Sequence, residues 1–189
     1  MLKTQFAVRQ VFFQKRTLFA SAVQFKSTAI PSIPYLHAHP TQNKYAISYV
    51  SSDDLKKPDL EPELIIGWST DKENLTPKTF VENNKFVNFL TNVLAENIHK
   101  VDDMNLKAMA DWQKEGWLHI NDERNPPPWG RIGFPEDIVG SVEIKDGVIQ
   151  KGTYQPMPAH RLMTRDGIFK LSEPLTNLVV NEAKKKASQ

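Results

Sequence analysis

The stretch GSVEIKDGVIQ at residues 140–150 decides the fold class of this 189-residue chain. Runs containing β-branched residues flank Asp146-Gly147, and an Asp-Gly pair accepts the positive φ angles of a tight hairpin turn. The sequence therefore predicts an antiparallel hairpin. The pattern recurs at residues 160–171, where HRLMT and IFKL flank Asp166-Gly167, and there it predicts a second hairpin.

Helical periodicity lies on both sides of these hairpins. A first central helix could begin at Thr76-Pro77 or be capped by Asn83 or Asn84. Its apolar positions have helical spacing: Phe86, Phe89, Leu90, Val93, Leu94 and Ile98. A second helix is predicted over residues 103–115, capped by Asp102 or Asp103, with an inward stripe of Leu106, Met109, Ala110 and Trp112. A C-terminal helix should begin near Ser172 and place Leu175, Leu178 and Val179 inward.

Short extended segments complete the prediction. YAISYV at 45–50 and LIIGW at 64–68 are expected to be strands that pair with each other, and WLHI at 117–120 a further short strand. TYQPMP at 153–158 is extended but cannot be a central strand, because its prolines lack an N–H. We expect an α+β domain over residues 45–189 with a mainly antiparallel sheet, two central helices, two C-terminal hairpins and a C-terminal helix. Residues 26–44, rich in Pro, Ser and Thr, are interpreted as an extended arm.

The first 25 residues resemble a mitochondrial transit peptide. They interleave basic residues with Leu, Phe, Val and Ala, and no acidic residue precedes Asp53. The whole chain has 24 basic and 22 acidic residues, a net charge of +2. Four of the basic residues lie in 1–25, so the remainder has 20 basic against 22 acidic residues and a net charge of −2. This mild negative charge disfavours nucleic-acid binding.

Several classes of chemistry are excluded or unsupported. The chain has no cysteine, which excludes disulfides and thiolate chemistry. HAH at 37–39 resembles a pair of metal ligands but has no third ligand nearby, so no metal site is predicted. There is no glycine-rich phosphate loop and no Gly-x-Ser-x-Gly or His-Glu-x-x-His motif. No cofactor and no membrane-spanning segment are expected.

The segment RNPPPWGRIGFPEDIVGSVEI at 124–144 concentrates the candidate functional residues. The four arginines that follow the predicted transit peptide all lie between 124 and 165, and Trp112, Trp117 and Trp129 gather in the same region. The arginines either converge on an anionic ligand or pair internally with nearby carboxylates, and Arg131 with Glu136 or Asp137 is the expected internal pair. Trp129 either stacks on the prolines 126–128 or contributes to an interface with Arg131, Arg161 and Arg165.

Three runs of the chain resemble a family of small fungal mitochondrial proteins. They are IGWSTDKENLTPKTFVENNKF at 66–86, WGRIGFPEDIVGSVEI at 129–144 and TYQPMPAHRLMTRDGIFKLSE at 153–173. The resemblance implies a mitochondrial location and brings with it no activity, cofactor or catalytic residue.

These observations lead to one principal functional hypothesis and two alternatives. We expect a soluble matrix protein that binds an unknown protein partner without catalysis, as an accessory or assembly factor. The first alternative is a small enzyme for an anionic metabolite, with acid–base groups His119, Asp137 and His160 beside Arg131 and Arg161. The second is an RNA- or ribosome-associated factor, which the net charge disfavours.

Overall fold

The structure, a computed structural model, describes residues 26–33 and 35–189. The predicted transit peptide at 1–25 lies outside the described residues. Within the described residues, helices and antiparallel sheets are mixed, which confirms the α+β class.

The first sheet has five antiparallel strands that neighbour one another in chain order. They are β1 (Thr28–Ala29), β2 (His37–Pro40), β3 (Tyr45–Ser48), β4 (Ile65–Ser69) and β5 (Phe80–Glu82). The predicted pairing of β3 with β4 is confirmed, with Ile47 opposite Gly67. Ile47 and Ile66 are fully buried, and Ala46 and Ser48 on either side of Ile47 are buried as well, so both faces of the sheet are covered at β3.

The segment 26–44 contributes more than an extended arm. It supplies β1 and β2, and Ile30, Leu36 and Ala38 are buried in the core. The ring Nε2 of His39 donates a hydrogen bond to the carbonyl of Val50 at 2.7 Å. His39, one of the two histidines of the HAH run, is therefore hydrogen-bonded to the backbone just after β3.

Two helices follow the first sheet: α1 (Asn84–Asn97) and α2 (Met104–Gln113). Of the alternative starts for α1, the structure has Asn83, whose side chain accepts from the Lys85 N–H and donates to two backbone carbonyls around β4. This double role ties the helix start to the sheet, and such a cap is typically worth about 1 kcal/mol. Asp103 caps α2 by accepting from the N–H groups of Asn105 and Leu106.

One expectation for α2 is wrong. Leu106 and Ala110 are buried, but Trp112 is 61% exposed. Successive residues turn by about 100° on a helix, so Trp112 lies about 200° from Ala110 and faces away from the core. The helix also ends earlier than predicted, since Lys114 adopts φ 68°.

The second sheet is built around the first predicted hairpin. Its strands are β6 (Gly116–Asn121), β7 (Ile138–Lys145), β8 (Val148–Ile149) and β9 (Gln155–Pro156). Asp146 and Gly147 have φ angles of 52° and 76°, the pair of positive values that defines a type I′ turn. The hairpin is confirmed, and β9 pairs only with β7, at Gly140 and Ser141, as its proline requires.

The C-terminal part consists of the second hairpin and a helix: β10 (Met163–Thr164), β11 (Gly167–Ile168) and α3 (Glu173–Ala187). The hydroxyl of Ser172, just before α3, donates to the free carboxylate oxygen of Asp103 at 2.6 Å. Asp103 therefore joins the starts of α2 and α3. Leu175 and Val179 are buried as predicted, and α1 packs against both α3 and β4.

One cluster of buried side chains connects both sheets, the second hairpin and all three of these helices. Phe86 lies within it, with ring centroids 6.0–6.1 Å from those of Tyr49, Phe89 and Phe169. Across residues 26–33 and 35–189, no helix has the length and apolar character needed to cross a membrane.

Candidate interaction surface on the 123–136 loop

The 123–136 loop connects β6 to β7, and hydrogen bonds close its two ends. The Asp122 N–H donates to the Asp137 carbonyl at 2.7 Å, and the Asn125 side-chain amide donates to the Asp137 carboxylate at 3.0 Å. A further bond runs from the Asp137 N–H to the Phe134 carbonyl. The loop is therefore of the Ω type, with its ends adjacent and its middle projecting.

A buried carboxylate anchors the base of this loop. Asp122 is fully buried and its carboxylate accepts four hydrogen bonds. Two come from the N–H groups of Arg124 and Lys170, one from the Arg124 guanidinium at 2.8 Å and one from His160 Nε2 at 2.9 Å. Such a set of donors compensates the loss of hydration that burial of a charge entails.

The electrostatics of Asp122 reflect two opposing effects. Burial alone would raise its pKa, but the hydrogen bonds from His160 and Arg124 together with the Arg124 charge outweigh burial and hold the pKa below the usual value. The side chain is therefore ionised in the folded protein at neutral pH.

Arg124 connects the base of the loop to the second hairpin by hydrogen bonds. Its guanidinium donates to the Thr164 hydroxyl at 3.1 Å and to the carbonyls of Gly167 and Arg161 at 2.8 and 2.7 Å. Its side chain is 3% exposed. Arg124 therefore acts as an internal brace, which is the internal pairing expected for the arginines of this region.

Beyond this base, the loop presents large apolar side chains to solvent. Trp129 is 60% exposed, Ile132 72% and Phe134 66%, and the 61% exposed Trp112 of α2 adjoins Trp129. The Trp112 and Trp129 rings contact each other with centroids 6.4 Å apart at an interplanar angle of 60°. We call these four residues the aromatic surface.

A tight turn sets the position of Trp129. The Arg131 N–H donates to the Pro128 carbonyl at 3.0 Å, and Gly130 has φ +72°, the combination typical of a type II turn. Trp129 therefore occupies a turn position that points its ring at Trp112 and leaves its outer face free. Trp129 thus contacts Trp112 and stays 60% exposed, an arrangement that was not among those predicted, and its role in an interface stays a prediction.

Replacing Gly130 with alanine should destabilise the turn and disturb the tryptophan pair. A Cβ at this position would lie 3.2 Å from Cη2 of Trp112, in addition to the strain of a positive φ. We expect a loss of about 1–2 kcal/mol in the free energy of unfolding and a shift in tryptophan fluorescence.

Gly152 provides the matched control. It has φ +77°, yet a Cβ there would meet nothing within 4 Å. Gly152→Ala should therefore cost about 1 kcal/mol of backbone strain and leave the tryptophan emission unchanged. Equal emission changes in the two variants would show that Gly130 does not position Trp112.

No match was found when the chain was compared with protein-family models, with curated proteins and with solved structures. Its function is therefore inferred from the chemistry of the residues themselves.

The residues predicted to have acid–base roles each have their own structural partners. His160 is engaged with buried Asp122, and its ring meets Phe169 edge-on at 6.2 Å. His119 lies on β6, where Nδ1 shares a 2.8 Å hydrogen bond with the Ser141 hydroxyl of β7. Asp137 is buried at the loop base. Each of the three is thus held by structural contacts.

The predicted binding arginines lie at the surface. Arg131, Arg161 and Arg165 are exposed, and the expected pair of Arg131 with Glu136 or Asp137 is not formed. The Asp137 carboxylate accepts a hydrogen bond from the Asn125 side-chain amide instead. Asp137 and Arg165 do line a common cleft of about 480 Å³, together with Phe134.

Pairing of the arginines with nearby carboxylates was expected, and Arg124 does pair with Asp122, but the contacts of Asp122 with His160 and Lys170 were not predicted. His160, Lys170 and Asp122 are 10 to 48 positions apart along the chain, so no local pattern connects them. The sequence hinted at this anchor only through composition, because Asp122 and Arg124 belong to a short charged run next to an apolar strand.

The contribution of Asp122 to stability should disappear in acid. A carboxyl whose pKa is lowered by folding stabilises the native state above its unfolded value of about 4 and loses this effect as pH falls through the folded value. We therefore expect the stability difference between the wild type and Asp122→Asn to shrink as the pH falls below about 4. Urea unfolding of both proteins at each pH measures this difference. A difference that grows on acidification would contradict the assigned direction.

Proposed function

We propose that this protein is a non-catalytic mitochondrial accessory factor that binds a protein partner through the aromatic surface. The observation that carries the proposal is the exposed Trp112–Trp129 pair on a loop whose base is fixed by buried hydrogen bonds. Tryptophan and arginine are the residues most enriched at the energetic centres of protein interfaces. Arg131, exposed in the same turn, adds the second of these residue types.

The energetics of the surface favour coverage by a partner. Full burial of a large apolar side chain is worth about 1.5–3 kcal/mol, and four such side chains are left mostly in water. A preorganised loop also reduces the conformational entropy that a partner must immobilise on binding. A surface of this composition on a fixed loop is typical of an interaction site.

The residues proposed for the enzyme alternative give catalysis less support than the aromatic surface gives partner binding. His160 is occupied by Asp122, whereas Arg131 lies in the exposed Trp129 turn. The mild negative charge after residue 25 likewise gives no support to an RNA-binding role.

Affinity isolation of the tagged full chain from mitochondria tests the proposal. Trp129→Ala and Trp112→Ala should each reduce the amount of co-isolated partner at least about tenfold, as expected for central interface residues. Val81→Ala is the matched control, because Val81 is 56% exposed on β5 of the first sheet. Partner recovery that is equal in all three variants would refute a role for the aromatic surface.

The mitochondrial location is tested separately. A variant that lacks residues 1–25 should lose import, since the basic, acid-free segment is the proposed targeting signal. Persistent import would overturn the location without bearing on the aromatic surface.

A further inference from the structure

A second feature of the molecule is a cleft that we call the Tyr49 cleft. It has a volume of about 660 Å³ and lies between the segment around Leu36, the residue Tyr49 after β3, and the stretch that leads from β11 into α3. Pockets for small molecules in proteins typically have volumes of about 300–1,000 Å³. The cleft is therefore large enough for an organic ligand.

The floor of the Tyr49 cleft is aromatic and apolar. Tyr49 and Phe169 both line it, with ring centroids 6.3 Å apart in an edge-to-face arrangement. Leu36, Ile168 and Leu171 complete the floor. Such a floor favours a flat or aliphatic ligand body.

The hydroxyl of Tyr49 is a polar group placed within this floor. Tyr49 is only 6% exposed, and its hydroxyl makes no hydrogen bond to any side chain or backbone group of residues 26–33 and 35–189. Burial raises the pKa of the Tyr49 hydroxyl far above its usual value, and the nearby Asp122 charge raises it further. The hydroxyl therefore stays neutral. The hydroxyl oxygen is not one of the fully buried polar atoms without a partner among the described residues, so it retains access to the cleft, where a ligand atom can hydrogen-bond with it.

The rim of the cleft carries an excess of negative charge. Glu123, Asp166 and Glu173 line it, and the opposing charges are those of Lys170 and Arg124. Arg124 is paired with Asp122 at 2.8 Å, which neutralises its charge, although its buried Nε–H has no hydrogen-bond partner among the described residues. Neither Glu123 nor Glu173 forms a salt bridge within the described part of the chain, and Asp166 has only a 3.8 Å contact with exposed Arg165.

Tyr35 contributes a third aromatic side chain at the mouth. It lines the cleft, is half-exposed and adopts φ 73°, a left-handed conformation that non-glycine residues seldom take. Backbone strain of this kind concentrates at ligand-binding sites. An exposed aromatic ring at the edge of a cleft can also contact a cation through its face.

We propose that the Tyr49 cleft binds a small organic cation, namely an amine with an aromatic or aliphatic body. The body lies on Tyr49 and Phe169, the ammonium group faces the rim carboxylates, and the Tyr49 hydroxyl takes part in a hydrogen bond. This site shares no residue with the aromatic surface, so it is independent of the protein-binding role.

Titration of the ¹⁵N-labelled full chain with tryptamine, followed by NMR, tests this proposal. Indole-3-propionate is the matched probe of opposite charge. We expect saturable shifts of the Phe169 and Leu171 amides with tryptamine, and an affinity at least about tenfold weaker for the anion. Equal affinities, or no saturation by tryptamine up to about 10 mM, would overturn the proposal.

Two substitutions locate the binding. Tyr49→Phe removes only the hydroxyl and Glu173→Gln only a charge, and each should weaken tryptamine about three- to tenfold. Glu143→Gln, at an exposed carboxylate of β7, should leave the affinity unchanged. If Tyr49→Phe does not fold, as judged by circular dichroism, Glu123→Gln takes its place. Unaltered affinity in the cleft variants would contradict the assignment.

Discussion

Replacing Asp122 with alanine should lower the free energy of unfolding by about 3–5 kcal/mol. The substitution removes the acceptor of four hydrogen bonds and leaves the buried Arg124 guanidinium without its counter-charge. A buried charge without a partner is the main source of the expected loss, and the unpaired N–H groups of Arg124 and Lys170 add to it. Urea unfolding monitored by circular dichroism gives the value.

Two comparisons make the Asp122 result specific. Asp122→Asn keeps the shape and one acceptor, so it should destabilise less than alanine does. Asp102→Ala removes a carboxylate whose side chain is 88% exposed, so solvent screens its salt bridge with Lys107 and the substitution should change stability far less than Asp122→Ala does. If Asp122→Ala and Asp102→Ala cost the same, Asp122 does not anchor the loop.

Replacing Phe86 with alanine should also cost about 3–5 kcal/mol. Phe86 is completely buried and its ring is in contact range of Tyr49, Phe89 and Phe169, so truncation leaves a cavity where α1 meets the rest of the core. The midpoint of chemical unfolding should fall accordingly.

Phe134→Ala is the control for the same chemical change at an exposed position. Phe134 is mostly in solvent, so its truncation should alter stability by no more than about 0.5 kcal/mol. Under our proposal it should instead weaken partner binding. A Phe86→Ala variant as stable as Phe134→Ala would show that the aromatic cluster does not hold the core together.

The parts of the fold that depend on neighbouring residues could be predicted from the sequence. The Asp146-Gly147 turn, the cap of α2 and the apolar stripe of α1 each depend on a few adjacent residues, and all are present in the structure. Trp112 was assigned to the wrong side of α2 because its apolar character was given more weight than its helical phase.

The candidate site was predictable only in part. The composition of the 123–136 loop identified Trp129 and Arg131, which the structure places in one exposed turn. The Asp122 anchor and the Tyr49 cleft each combine side chains from distant parts of the chain. Contacts of this kind arise from tertiary packing, so local pattern and propensity contain no signal for them.

The central claim is that the aromatic surface contacts a protein partner, and site-specific photo-crosslinking in mitochondria tests it most directly. A photo-reactive phenylalanine analogue would replace Ile132 on the 123–136 loop or, as control, Val81 on β5, both of which are exposed. We predict a covalent adduct with one defined protein from position 132, its loss in the Trp129→Ala background, and no adduct from position 81. The absence of an adduct at position 132, or an equal adduct at position 81, would contradict the proposed function.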